Sequence, residues 1–266
     1  MFLFYGNFRK SYFLIKLKPM NIIKNAFVDK TTPVMVIECF TRIENQRPKR
    51  NFSGMGFLYK KNDDGSYLFV TCGHFFWPEL FHVPPGSDLF ITKDFGTNNN
   101  PPEGNFLPFQ IVKGPIFSKN KRGDITMFKV RPVIQPPEEF KLFEASENLE
   151  DLSDAGAVSL TMVNEQSIID LICNESSKKL PYDKYNFGPI QAGLMQRGTI
   201  LKTELYEHEV PAYPCYQIFS DFGASGSPIW TKDGKLLGMN LGGEPGVWTA
   251  VVTTRQINNV IKELGL

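Results

Sequence analysis

The sequence is poor in residues that bind metals, with three histidines and four cysteines among its 266 residues. It contains no Cys-x-x-Cys pair and no Cys/His cluster of the kind that indicates a metal site. It also lacks an excess of either charge, because 29 basic and 28 acidic residues leave a formal net charge of +1. We therefore expect no metal site and no nucleic-acid partner.

Long hydrophobic runs are missing as well, so we expect no transmembrane segment. Residues 1–28 contain five basic residues and no acid, a bias typical of targeting peptides. Their apolar stretch at positions 12–15 ends at Lys16, and no small-residue cleavage site follows. Residues 1–32 are therefore interpreted as an N-terminal extension, and secretory, organellar and purely structural roles stay open. The compartment and the oligomeric state are not predicted.

The four cysteines are Cys39, Cys72, Cys173 and Cys215. Their positions follow no recognisable disulfide framework. We expect free, buried thiols, because an unpaired cysteine behaves as a small apolar residue. A structural disulfide is the alternative.

Twenty-two glycines and 19 prolines separate short alternating segments, which favours an all-β architecture over helical or βαβ organisation. The end of the chain differs, since apolar residues recur there at helical spacing. These residues are Ile257, Val260, Ile261 and Leu264. They predict a C-terminal helix that packs this stripe against the preceding β-structure.

The most informative segment of the chain is 221–228, Asp-Phe-Gly-Ala-Ser-Gly-Ser-Pro. Glycines next to a serine allow a positive φ and a close approach of the backbone, so that successive N–H groups can converge on one oxygen. We interpret Ser225 as a nucleophile, with the amides of Gly223 and Ser225 as an oxyanion hole. A serine hydroxyl needs a general base and an acid that orients the base.

His74 is the best candidate base, because it follows the β-branched and aromatic run 67–71. His82 lies in a proline-rich connection and His208 lies between acidic residues, so we interpret both as surface or packing residues. Asp124 opens an alternating apolar segment and is the candidate acid. The aromatic residues 75–77 after His74 either border a substrate groove or cap the core.

Together, the segments 71–74 (Thr-Cys-Gly-His), 123–125 (Gly-Asp-Ile) and 223–228 resemble the trypsin-like (chymotrypsin-fold) serine peptidases in residue type, chain order and separation. Bacterial glutamyl endopeptidases and HtrA-type enzymes look closest. The resemblance implies two six-stranded antiparallel β-barrels, at residues 33–131 and 152–266, joined by a crossing segment at 132–151. The C-terminal helix would then lie against the second barrel, and the active site in the cleft between the barrels.

The activity that the resemblance implies is that of a serine endopeptidase, which hydrolyses peptide or protein substrates through an acyl-enzyme intermediate. His74, Asp124 and Ser225 would form the catalytic triad, and this mechanism requires no metal or organic cofactor. Ala224 stands where zymogen-activated members carry an aspartate, so activation by a salt bridge to a new N-terminus is not expected. The alternatives are a catalytically silent member of the fold that binds peptides, or a turn serine in an unrelated β-barrel.

The resemblance also implies a specificity pocket near the serine. Its candidate residues are Phe219, Ser220, Asp221, Asn240, Leu241, Gly242 and Gly243. Asn240 replaces the histidine of glutamyl endopeptidases, which argues against a preference for acidic substrates. Phe219 replaces the pocket aspartate of trypsin, which argues against a trypsin-like preference for Lys or Arg. Asp221 is either a solvated loop acid or, if it turns inward, a carboxylate that attracts a basic side chain of the substrate.

Overall fold

The computed structural model of the chain describes residues 31–44, 49–77, 83–94, 106–118, 123–136, 138–147, 156–157, 200–202, 215–216, 223–230, 234–244 and 248–266. Within these ranges the chain forms thirteen strands and one α-helix. They are β1 (Val34–Thr41), β2 (Lys49–Lys61), β3 (Tyr67–Cys72), β4 (Asp88–Asp94), β5 (Phe106–Phe117), β6 (Ile125–Pro132), β7 (Glu144–Ala145), β8 (Gly156–Ala157), β9 (Ile200–Lys202), β10 (Cys215–Tyr216), β11 (Pro228–Trp230), β12 (Lys235–Glu244), β13 (Trp248–Thr253) and α1 (Thr254–Leu264).

The first six strands form a closed antiparallel barrel in the order β1-β2-β3-β6-β5-β4. The pairing of β4 with β1, with Thr92 opposite Val36, closes it. β3 is buried along its whole length, from Tyr67 to Cys72. The 3-10 turn His74–Phe76 follows it directly. His74 therefore lies at the rim of the barrel, directly after the end of β3. A rigid scaffold of this kind holds the residues at its rim in fixed positions.

The remaining strands form a seven-stranded sheet in the order β8-β11-β12-β13-β10-β9, and β7 pairs in parallel with β12. The prediction of a mainly β protein with a C-terminal helix is confirmed, and so is a closed six-stranded barrel in the first half. The described residues of the second half show a sheet and do not show a second barrel. Residues 158–199, which belong to that half, lie outside the described ranges.

α1 has a clear beginning and end. The Thr253 hydroxyl accepts from the Gln256 amide at 3.2 Å, and the Thr253 amide donates to the Gln256 side chain at 2.8 Å, which is a capping box. Gly265 ends the helix at φ 64°, the left-handed conformation that favours glycine. No helix of the described residues is long and apolar enough to cross a membrane.

α1 contacts both halves of the described structure. Ile257 and Val260 are buried, as the predicted stripe requires, and Ile261 and Leu264 pack half-buried against the same core. The Thr254 hydroxyl donates to the Leu236 carbonyl of β12 at 2.9 Å. On the barrel side, the Tyr59 hydroxyl of β2 donates to the Asn258 side chain. The helix therefore packs against the second-half sheet, as predicted, and against the barrel as well.

Candidate active site

His74 and Asp124 form a tightly connected pair at the barrel rim. Asp124 Oδ1 accepts from the His74 backbone amide at 2.6 Å, and Asp124 Oδ2 lies 2.9 Å from His74 Nδ1. Because an ionised carboxylate only accepts hydrogen bonds, Nδ1 carries the proton in this contact. Nε2 is then the basic nitrogen of the neutral ring, which is the tautomer that a general base needs.

The backbone around this pair is shaped to hold it. The Gly73 amide donates to the Asp124 carbonyl at 3.0 Å, and a Cβ on Gly73 would lie 3.2 Å from the Asp124 carbonyl carbon. Asp124 itself has a φ of 41°, the one positive φ at a non-glycine residue in the described ranges. Aspartate tolerates this region better than most residues, although the conformation still costs energy. The register of β3 and β6, with Cys72 opposite Ile125, places Asp124 beside His74.

The pair is enclosed by the barrel and by aromatic rings. The exposed fraction of the side chain is 5% for His74 and 11% for Asp124. Phe75 is buried and stacks on Phe52 with a centroid distance of 5.0 Å, so it caps the core. Trp77 is half-buried and lies edge-on to the His74 ring at 6.2 Å. Phe75 also lies beside the imidazole, at 4.8 Å, but it is buried, so Trp77 is the aromatic neighbour of His74 within reach of solvent.

Ser225 lies in a glycine-rich turn before β11, and this turn docks on the barrel. The Ser225 carbonyl accepts from the Met55 amide of β2 at 2.9 Å. Gly226 has a φ of 87°, and a Cβ there would lie 2.0 Å from the Met55 carbonyl oxygen. Only glycine permits both the backbone conformation and this close approach. The two glycines that suggested a catalytic turn, Gly223 and Gly226, both have positive φ values.

The end of β3 completes this junction between the two halves. The Thr71 hydroxyl donates to the Met55 carbonyl at 2.5 Å, and Cys72 Sγ donates to the Asn240 carbonyl of β12 at 3.3 Å. The Asn240 carbonyl also accepts from the Gly226 amide at 2.8 Å. The strand that leads into His74 is thus bonded to the residues that flank Ser225. The structure brings the predicted base and acid and the predicted nucleophile into one region.

The Ser225 hydroxyl is partly buried and donates to the Leu241 carbonyl at 3.0 Å. Gly242 adjoins it, since a Cβ on that glycine would lie 3.7 Å from Ser225 Oγ. Asn240 is fully buried, and Gly243 pairs with Thr249 of β13. Of the predicted pocket residues, Leu241 and Gly242 therefore lie beside the Ser225 hydroxyl.

The other predicted pocket residues, Phe219, Ser220 and Asp221, lie outside the described ranges. So do His82 and His208, the two histidines interpreted as surface or packing residues.

The two predicted oxyanion-hole amides differ from the amides that follow them in their backbone hydrogen bonds. The Gly226 amide donates to the Asn240 carbonyl and the Ser227 amide donates to the Ala224 carbonyl, at 2.8 and 3.0 Å. The amides of Gly223 and Ser225 donate to no backbone carbonyl of the described residues. A backbone amide without an internal acceptor is available to a ligand oxygen.

Cys72 is a member of this site that the sequence analysis did not single out. It is fully buried, and its Sγ lies within 4.8 Å of the ligand atoms of His74 and Asp124. Burial, and after it the charge of Asp124, raises the pKa of the thiol well above its usual range. The sequence carried one signal, a cysteine two residues before the candidate histidine. Its contact with Asp124, 52 positions away, depends on the pairing of β3 with β6.

The predicted state of the cysteines is confirmed where the structure describes their side chains. Cys39 and Cys72 are buried and free. Cys173 and the side chain of Cys215 lie outside the described residues.

No protein-family model matches the chain, and no curated protein sequence matches it.

Proposed function

We propose that this chain is a serine endopeptidase of the trypsin-like kind, with His74, Asp124 and Ser225 as its catalytic triad. The observation that carries the proposal is the bidentate contact of Asp124 with the amide and Nδ1 of His74. This contact fixes both the orientation and the tautomer of the ring. A histidine held in this way, in the same region as a serine in a glycine turn, supports the assignment of His74 as the base that activates the hydroxyl.

In the proposed reaction, His74 Nε2 takes the proton of the Ser225 hydroxyl as its oxygen attacks the scissile carbonyl carbon. Asp124 stabilises the imidazolium that forms and stays ionised. The protonated Nε2 then donates its proton to the leaving amine, which departs and leaves an acyl-enzyme. Water, deprotonated by the same nitrogen, attacks the ester and regenerates the Ser225 hydroxyl.

The amides of Gly223 and Ser225 would bind the oxyanion of the tetrahedral intermediate. Each donor of this kind contributes about 3–4 kcal/mol in comparable sites. The positive φ of Gly223, 88°, is consistent with a backbone turned for this purpose. The seven-stranded sheet would be part of a second barrel, and the active site would then lie between the two barrels.

The hydrogen bond of the Ser225 hydroxyl to the Leu241 carbonyl sets a condition on this mechanism. The hydroxyl must turn from that carbonyl to His74 before it can be deprotonated. A serine rotamer change is a small step, and catalytic hydrogen bonds commonly align only when substrate binds. A substrate strand beside Leu241 and Gly242 would compete for the same carbonyl and release the hydroxyl.

That same hydrogen bond favours a second candidate function. A protein in which the hydroxyl stays on the Leu241 carbonyl would be a catalytically silent peptide-binding module. Its binding groove would use the same strand, β12, and no covalent chemistry would follow.

A fluorophosphonate probe separates the two functions, because it reacts only with an activated serine. The purified full chain is compared with Ser225→Ala and His74→Ala, and with Ser87→Ala as the control. The Ser87 hydroxyl bonds to Pro84 and lies within hydrogen-bond distance of Thr41, so its loss leaves the site residues untouched. We expect labelling of the wild type and of Ser87→Ala only. Folded wild-type protein that takes up no label would overturn the peptidase proposal.

A further inference from the structure

Three side chains with different metal-binding chemistry meet at the end of β3. Cys72 offers a thiol sulfur, His74 an imidazole nitrogen and Asp124 a carboxylate oxygen, and these atoms all lie within 4.8 Å of one another. All three residues are buried or nearly so, so the grouping is not an accidental surface cluster. This combination of donors suits zinc and related thiophilic ions.

The distances fit such an ion after small shifts. A tetrahedral ion with bonds of about 2.0–2.3 Å places its ligand atoms roughly 3.3–3.8 Å apart. His74 Nδ1 and Asp124 Oδ2 are 2.9 Å apart and must open slightly. The Cys72 sulfur lies within 4.8 Å of a His74 ring nitrogen and of an Asp124 carboxylate oxygen, so these pairs must close by about 1 Å or less.

We propose that Cys72, His74 Nδ1 and Asp124 form an inhibitory binding site for a thiophilic divalent cation such as Zn²⁺ or Cd²⁺. The inhibitory effect rests on the proposed function, and the binding does not. Water would supply the fourth ligand of the tetrahedron.

Proton balance explains why the bound ion inhibits. The thiol releases its proton to solvent and the sulfur bonds to the metal. His74 stays neutral, but its Nδ1 lone pair now binds the metal, so its proton moves to Nε2. An Nε2 that carries a proton cannot accept one from Ser225. The ion therefore holds the imidazole in the tautomer that cannot act as a base, and it also takes the Asp124 carboxylate.

The surroundings tolerate this change. The Asn240 carbonyl loses the hydrogen bond from Cys72 Sγ but keeps the one from the Gly226 amide, at 2.8 Å. Asp124 is the most accessible of the three side chains, so its carboxylate is the ligand that an ion from solvent would meet first. Hard cations such as Mg²⁺ and Ca²⁺ prefer all-oxygen sites, so the thiolate makes the site selective.

Titration with Co²⁺ tests the site independently of activity, because thiolate-bound tetrahedral Co²⁺ absorbs visible and near-ultraviolet light. The variant is Cys72→Ser, which keeps size and a hydrogen-bond donor for the Asn240 carbonyl but removes the soft ligand. The matched control is Cys39→Ser, because Cys39 is the other buried free cysteine of the described residues. Thermal unfolding verifies that both variants fold.

We expect one equivalent of Co²⁺ to give the thiolate band in the wild type and in Cys39→Ser, and none in Cys72→Ser. Zn²⁺ should suppress fluorophosphonate labelling of the wild type, relative to its own metal-free level. The same suppression in Cys72→Ser should need a Zn²⁺ concentration at least about tenfold higher.

A protein that labels but shows no Cys72-dependent band overturns the site and leaves the proposed function intact. A Cys72-dependent band in a protein that never labels supports the site while the proposed function fails. If the Cys72-dependent band appears but Zn²⁺ does not suppress fluorophosphonate labelling, the inhibitory role of the site is overturned. If Cys72→Ser does not fold, Asp124→Asn replaces it, with weaker Co²⁺ binding expected and unchanged binding contradicting the site.

Discussion

Asp124 binds His74 twice, through the backbone amide at 2.6 Å and through the imidazole Nδ1 at 2.9 Å. The carboxylate thus fixes the ring relative to its own backbone, which leaves the imidazole little freedom to rotate. Both residues belong to the barrel, at the end of β3 and the start of β6. The His–Asp pair is therefore assembled by the first half of the structure alone.

Asp124→Asn tests the role of the carboxylate. Asparagine accepts a positive φ about as well as aspartate, so the backbone at 41° should persist. Its amide group can face Nδ1 as a donor, which would favour the wrong imidazole tautomer. We expect kcat, or the rate of probe labelling, to fall by about 10⁴-fold with little change in unfolding temperature. A fall of less than about tenfold would contradict the role of Asp124 as the residue that orients the base.

Gly226→Ala tests the docking of the serine turn on β2. The new Cβ would meet the Met55 carbonyl oxygen at 2.0 Å, so the turn must move or the strand must bend. Gly234→Ala is the matched control, because Gly234 has a φ of 86° and nothing within 4 Å of its Cβ position. We expect Gly234→Ala to lower the free energy of unfolding by about 1–2 kcal/mol, from backbone strain alone.

Gly226→Ala should cost more, about 3–5 kcal/mol, and should abolish probe labelling. Urea unfolding and labelling measure the two effects. Equal costs for the two variants would show that the close approach of Gly226 to Met55 contributes nothing.

Thr71→Val and Thr126→Val form a second matched pair, because the two threonines lie opposite each other in β3 and β6. The Thr71 hydroxyl donates to the Met55 carbonyl, and the buried Thr126 hydroxyl has no hydrogen-bond partner among the described residues. Removing the first should lower the free energy of unfolding by about 1–2 kcal/mol. Removing the second should leave it unchanged or raise it, because an unsatisfied polar group disappears. Chemical denaturation of both variants measures these changes. A larger loss of unfolding free energy in Thr126→Val than in Thr71→Val would contradict the prediction.

Tyr59→Phe tests the link between the barrel and α1. Burial, and after it the charge of Glu147, raises the pKa of Tyr59 to about 12 from 10.0. The folded state holds this proton more tightly than the unfolded chain does. Its contribution to the free energy of unfolding is therefore complete below pH 10 and is lost as the pH rises from about 10 to about 12.

The phenylalanine variant should be less stable by about 0.5–1.5 kcal/mol at pH 8, and its stability should fall less steeply above pH 10. Urea unfolding of Tyr59→Phe, Asn258→Ala and the double variant isolates the contact between these two residues. A coupling energy of about 1 kcal/mol is expected. Additive effects would mean that the Tyr59 hydroxyl does not bond to Asn258 in solution.

Local sequence signals predicted the parts of the site that depend on neighbouring residues. Glycines around Ser225 predicted a turn with positive φ values, and the run before His74 predicted the strand that ends beside it. The spacing of Ile257 and Val260 likewise predicted the buried stripe of α1. Each of these predictions rests on a local signal, which is the residue spacing of a strand or helix or the glycines of a turn.

Other features depend on contacts between distant segments and could not be predicted. The approach of Cys72 to Asp124 follows from the pairing of β3 with β6, and the bond from Tyr59 to Asn258 joins residues 199 positions apart. The left-handed backbone of Asp124 is likewise imposed from outside, because aspartate has no local need for it. Tertiary context decides such features, and a periodic pattern does not contain it.

The bond between the Met55 amide and the Ser225 carbonyl has a consequence for the nascent protein. Ser225 follows Met55 by about 170 residues, which a ribosome needs roughly 10–30 s to add. All six barrel strands are complete by Pro132, so the barrel can close and align His74 with Asp124 long before the serine exists. During translation the emerging chain therefore holds the His74–Asp124 pair before Ser225 is made, so that under the proposed function no activity could precede synthesis of the second half.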